Sequence, residues 1–162
     1  MILSYILREK VNKVKLTKIQ SAYIGGIIDA EGTIGFYHVA RSPLASYSPR
    51  LRVTNTSLEF LEHIQSIIGG QIRKRKFYVD KRINQHLELY EFAISRAKDL
   101  YSILIHIQNY LIIKKQIAIA IINYLEERLK HKRNPLTHKE LALLKTGRSI
   151  SLFINQKGRR NE

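Results

Sequence analysis

Two carboxylates one residue apart, Asp29 and Glu31, close the apolar segment "IGGIIDAEG". Their chemistry depends on what approaches them. The chain carries 28 lysines and arginines against 13 acidic residues, a formal net charge of +15. A field of that size makes a polyanion, nucleic acid first, the expected partner. Carboxylates held near bound phosphates repel them unless divalent cations intervene. Mg²⁺ suits that role, because it takes a few carboxylates together with substrate phosphate and water. Such an ion activates water and neutralises the leaving oxygen in phosphodiester hydrolysis. Taken alone, Asp-x-Glu is a weak signal, since two ordinary surface acids read the same way.

The acids need an element to hold them. Ile19, Ala22, Tyr23, Gly26, Ile27 and Ala30 recur at helical spacing, which predicts a helix from about Lys18 to Ala30. Ile24 and Ile28 make it apolar on other sides, so burial nearly all round is expected. Gly32 is placed to stop it. Two features then look misplaced. Gly25 and Gly26 each cost about 1 kcal/mol relative to alanine inside a helix, and acids at a helix C-terminus face the negative end of its dipole. Adjacent glycines let backbones approach closely. Only one helix here carries such a pair, so its expected partner is the same helix of a second copy across a two-fold axis.

The rest of the chain supplies a recognition surface. "TIGFYHVAR" and "PRLRVTN" alternate as strands around the loop "SPLASYSP". In "TSLE", Thr56 caps a second helix and Glu59 reaches back. Leu58, Leu61, Ile64 and Ile68 form its inner stripe, and Gly69 and Gly70 end it. "QIRKRKFYV" and "HLELYEFAIS" form a strand pair joined by the turn "DKRINQ". "AKDLYSILIHIQNYL" and "KKQIAIAIINYLEERLK" read as helices, "HKRNP" as a break, and "THKE" as a capping box opening a short helix before a frayed end. The order is α-β-β-α-β-β-α plus C-terminal helices: an α+β fold with an antiparallel four-stranded sheet and helices on one face.

Period-two alternation puts Thr33, Gly35, Tyr37, Val39 and Arg41 on the other face, with Arg50, Arg52, Gln71, Arg73, Arg75, Leu89, Glu91 and Ala93. Arginine and glutamine read base edges in the major groove through paired hydrogen bonds. Lys74, Lys76, Lys81 and Arg82 are placed to hold phosphates, which gives affinity without sequence information. An ordinary solvated sheet would also expose arginines; the net charge favours the nucleic-acid reading.

Other classes recede. With no cysteine there is no disulfide, thiolate metal site or cysteine nucleophile. No apolar run reaches the roughly 18 residues of a membrane span. "MILSYILREKVNKVK" is broken by charge too early for a signal peptide, so an intracellular setting is expected. Composition does not separate an archaeal cytoplasm from an organelle.

Position by position, "IGGIIDAEG" resembles the LAGLIDADG motif of homing endonucleases. Ile24 stands at the first leucine, Gly25 at alanine, Gly26 at glycine, Ile27 and Ile28 at leucine-isoleucine, and Asp29, Ala30, Glu31 and Gly32 at the end. The element order, the length and the single motif match the homodimeric branch over Lys18 to about Leu129. The resemblance implies an intron-encoded double-strand endonuclease using Mg²⁺ or Mn²⁺. Each sheet would lie along the major groove of one half-site of a long pseudo-palindromic DNA target. Cleavage across the central minor groove would leave staggered ends. Glu31 would hold metal with the main-chain carbonyl of Ala30. Lys114, with Lys115 as the neighbouring candidate, would lie beside it, and Asn55 would position a metal-bound water. Gly25, Gly26, Ile27 and Asp29 would form the paired-helix interface. Glu59 departs from the pattern, standing where this branch often has a basic residue.

Residues 18–133 make the expected core, flanked by basic extensions over 1–17 and 134–162 that are expected to add phosphate contacts. The rivals are an intron RNA maturase or non-cleaving DNA-binding protein on the same scaffold, and a basic RNA-binding structural protein.

Overall fold

The computed structural model describes residues 14–38, 47–75, 78–80, 85–131 and 135–157. Helix α1 (Lys18–Ala30) starts on a capping box: Thr17 Oγ1 accepts from Gln20 N at 3.1 Å, and Gln20 Oε1 accepts from Thr17 N at 3.0 Å. "TKIQ" spells this start, and sequence reasoning passed over it. Ile24 and Ile28 are fully buried, but burial is not all round: Ile19 is 82% exposed, and Tyr23 and Gly26 lie on the same open face. The C-cap is Glu31, in a right-handed conformation, so Gly32 does not end the helix through a left-handed turn. Gly32 instead opens β1 (Gly32–His38) pressed against α1, where a Cβ would lie 2.8 Å from the Ile28 carbonyl oxygen.

β2 (Tyr47–Asn55) returns antiparallel and leads into α2 (Leu58–Ile68). Its cap falls one residue later than expected. Asn55 Oδ1 accepts from Ser57 N at 2.9 Å, and this side-chain turn hands the cap to Ser57, whose Oγ accepts from Phe60 N at 3.2 Å. The second hairpin is not one continuous pair. β3 (Gln71–Lys74) pairs with β6 (Tyr90–Ile94), while β4 (Tyr78–Asp80) and β5 (Gln85–Leu87) form a ladder of their own. The main sheet runs β1-β2-β6-β3, antiparallel throughout.

α3 (Ala97–Ile107) stops short of Leu111 and tightens into a 3-10 turn over Gln108–Tyr110. α4 (Lys115–His131) follows. The last helix, α5 (His138–Lys157), is 20 residues long and not short. Its capping box forms as read, with Glu140 Oε2 accepting from Thr137 N at 2.6 Å and Thr137 Oγ1 accepting from Glu140 N at 3.2 Å. Gly147 does not break α5; it lets the helix meet the Phe36 ring, to which a Cβ there would come within 2.4 Å.

The inward side chains of the sheet, Ile34, Phe36, Leu51, Val53, Phe92 and Ile94, are buried as the alternation predicts. They share one hydrophobic core with Leu61 and Ile64 of α2, Ile103 and Leu104 of α3, Ile117 and Ile121 of α4 and Leu144 of α5. The C-terminal helix is thus part of that core. It also covers one outward position: Gly35 is buried, with Ser151 Oγ 2.6 Å from where its Cβ would be.

Candidate active site and nucleic-acid interface

Asp29 explains the acid at the end of α1. Its Oδ2 accepts from the main-chain N–H of Ile112 and, at 3.1 Å, of Ile113, while Oδ1 accepts from Lys114 N at 2.9 Å. Ile112 and Ile113 belong to the loop that leads into α4, and Lys114 is the residue flanking its first turn. The carboxylate stands badly for the dipole of α1 and well for the positive end of α4. In return Lys114 Nζ donates to the Asp29 main-chain oxygen. One residue thus ties the motif helix to the next long helix, by bonds that reach backbone at one end or the other.

That tie brings Lys114 beside Glu31. Burial pushes the Lys114 ammonium below its ordinary pKa, and the negative charges of Asp29 and then Glu31 offset part of that shift. Glu31 is exposed, and among the described residues its carboxylate makes no hydrogen bond or ion pair. Ala30, exposed beside it, adds a main-chain oxygen. Among the described residues no three His, Cys, Asp or Glu side chains cluster as a metal cage. One free carboxylate with a neighbouring carbonyl suits a hard cation that keeps most of its shell for water and phosphate. Lys115 lies exposed in the first turn of α4. Asn55 holds the turn before α2 through its Oδ1.

The expected interface residues divide. Gly25 serves its own chain, since a Cβ there would lie 2.8 Å from Tyr110 Cβ, so it admits the 3-10 turn. Asp29 likewise acts within one chain, as the anchor of the loop that leads into α4. Ile27 is partly buried against the core. Gly26 has nothing within 4 Å of its Cβ position and sits on the open face with Ile19 and Tyr23. The loop held by Asp29 exposes two more apolar residues, Ile112 at 87% and Ile113 at 65%. Sequence reasoning left this pair between two helices and gave it no role.

On the outward sheet face, register lines up Thr33, Arg52, Ala93 and Gln71 across four strands. The Arg52 guanidinium lies 3.7 Å from the centre of the Tyr37 ring. Gln71 Oε1 accepts from Arg73 Nη2 at 3.2 Å. Arg50 lies opposite Gly35, and its Nε is buried without a hydrogen-bond partner. Lys74 departs from expectation. It pairs in register with the inward Tyr90, so it faces away from the arginines, and it is ion-paired with Glu88. Arg41, Lys76, Lys81 and Arg82 lie outside the residues whose side chains are described.

Against solved structures, the chain aligns with the homing endonuclease I-CvuI in two complexes with DNA targets. TM-scores are 0.59 and 0.61 at 23% and 22% identity, over 86% and 85% of this chain and 82% of that one. The LAGLIDADG meganuclease I-CpaMI, bound to uncleaved DNA, aligns at TM-score 0.58 and 24% identity, over 76% of this chain and 41% of its own. This is the fold of the LAGLIDADG homing endonucleases. A further LAGLIDADG homing endonuclease, I-GzeII, in complex with a DNA target, aligns at TM-score 0.59 and 17% identity, over 79% of this chain and 43% of its own. No family model matches the sequence, and no curated protein matches it. In the LAGLIDADG fold described here, the motif helix is α1, and the acid that follows it lies at the junction of helix and sheet.

Proposed function

We propose that this chain is a single-motif LAGLIDADG homing endonuclease, a homodimer that cuts both strands of a long, pseudo-palindromic DNA site. The observation that carries the reading is the Asp29 clamp, which sets Lys114 beside a free Glu31 at the end of the motif helix. The structural neighbours I-CvuI and I-CpaMI are described on DNA, which supports duplex DNA as the polyanion. The apolar face made by Ile19, Tyr23, Gly26, Ile112 and Ile113 supports a second copy as the protein partner.

Glu31 and the Ala30 carbonyl are the groups that would hold Mg²⁺ or Mn²⁺, and the bound ion supplies an activated water and charge neutralisation. Lys114 places positive charge next to the phosphate, in a setting drier than water, where that charge counts for more. Asp29 fixes the lysine. Asn55, whose Oδ1 shapes the turn before α2, keeps its amide nitrogen to position a metal-bound water. Arg50, Arg52, Gln71, Arg73 and Arg75 face the major groove.

The test is cleavage by the full chain of a duplex selected from a random library, with Mg²⁺ and then with EDTA, beside Glu31→Gln. The reading expects a staggered cut, lost with EDTA and in the variant, while binding persists. Specific binding with no cut in either divalent metal would turn it toward a maturase or a non-cleaving DNA-binding protein.

A further inference from the structure

Glu91 is the acid among the outward residues of the four-stranded sheet, and charge alone argues against its being there. It stands directly across from Arg73 and repels the phosphates that the surrounding arginines attract. Its side chain is also better covered, at 15% exposure, than those of Arg52 at 26% and Arg75 at 47%. One oxygen, Oε2, accepts from Arg52 Nη1 at 3.4 Å and from Arg75 Nη2. Arg52 then stacks on Tyr37. The chain Tyr37–Arg52–Glu91–Arg75 therefore starts on β1, crosses β2 and β6 and ends just past β3.

A free arginine on an open sheet has many rotamers, and the nearest phosphate captures it without reading sequence. An arginine held by a carboxylate and a ring keeps its guanidinium in one plane, as a bidentate contact with a base edge requires. We infer that Glu91 is a positioning residue for sequence readout: it holds Arg52 and Arg75 toward base edges and away from phosphates. The inference rests on the DNA-binding reading above and adds a specificity determinant to it. The cost of repulsion is limited, because two guanidiniums neutralise one carboxylate, and the side-chain order needed in the complex already exists without DNA.

Glu91→Gln keeps the shape and removes the charge that holds both arginines; Glu91→Asp keeps the charge on a shorter arm. Affinity of the full chain is measured for its selected duplex and for every single-base-pair variant of it, over a series of salt concentrations. With Glu91→Gln, discrimination is expected to fall about tenfold at one cluster of base pairs in each half-site, and the salt dependence to steepen by about one phosphate contact per protomer as an arginine is released. Glu91→Asp should restore much of the discrimination. An unchanged base-pair profile and salt slope in Glu91→Gln would overturn the inference and leave the DNA-binding reading standing. Equal weakening at every base pair with an unchanged slope would overturn it too, because it would show only a loosened sheet. A wild-type chain that selects no duplex at all would overturn both.

Discussion

The α1–α4 junction and the outward sheet face are both built from charged side chains, but they are held in different ways. At the junction the Asp29 carboxylate grips three main-chain N–H groups, and Lys114 reaches back to a main-chain oxygen. On the sheet face, guanidiniums rest on a ring, a carboxylate and an amide of other side chains. Backbone bonds fix geometry whatever the neighbouring residues are. Side-chain pairs can be exchanged one at a time. The molecule thus separates a centre whose geometry must not vary from a surface whose letters can change.

The contrast can be broken first at its chemical end. Glu31→Gln should lower cleavage at least about a thousandfold, in line with removal of a group that holds metal or transition-state charge, and leave the binding affinity nearly unchanged. A gel assay and a binding titration on the same duplex read both. Retained cutting would remove Glu31 from the site.

Next comes the clamp. Asp29→Ala leaves the main-chain N–H groups of Ile112, Ile113 and Lys114, just before α4, without their acceptor and should cost about 2 kcal/mol, from the range for caps and charged hydrogen bonds. Urea denaturation checks it, and wild-type stability would mean that the clamp is ornamental. The adjacent glycines sharpen the same division. Gly25→Ala puts a Cβ against Tyr110 and should destabilise the chain by about 1–3 kcal/mol through overpacking. Gly26→Ala meets nothing in the chain. Gly26→Leu should instead block dimer formation, read by sedimentation, and an unaffected dimer would dismiss the open face of α1 as the contact.

The smallest effect concerns pH. Lys114 titrates below its ordinary value in the folded chain, so between the two values the unfolded chain binds the extra proton. Stability should therefore gain from rising pH in a window just under the usual lysine range. Lys114→Met should flatten that slope, measured as denaturation midpoint against pH. An unchanged slope would mean that the lysine is not desolvated.

Much of this was legible in the sequence because the signals were periodic. The bounds of α1, the inward set Ile34, Phe36, Leu51, Val53, Phe92 and Ile94, and the outward Arg50, Arg52 and Arg73 follow from spacing. The family resemblance pointed to Glu31 and Lys114, which the structure sets side by side. What escaped was decided by single contacts. Nothing in "YIGGIIDAEG" says that Gly25 faces Tyr110 while Gly26 faces open space, because both fit one helical stripe. Asp29 looked like an interface acid until its partners, more than 80 residues away, were in view. Asn55 displaced a cap by one residue through a local side-chain turn. Lys74 was expected to hold phosphate, but strand parity turns it to the face opposite the arginines.

The account's central claim is that each copy brings one Glu31–Lys114 pair, and each pair serves one strand. The most direct measurement mixes wild-type chains with an excess of Glu31→Gln chains and follows a duplex site in supercoiled DNA. The account predicts nicked circles as the main product, because most active dimers then hold one working acid. Linear product at the wild-type rate from mixed dimers, with no nicked intermediate, would contradict it.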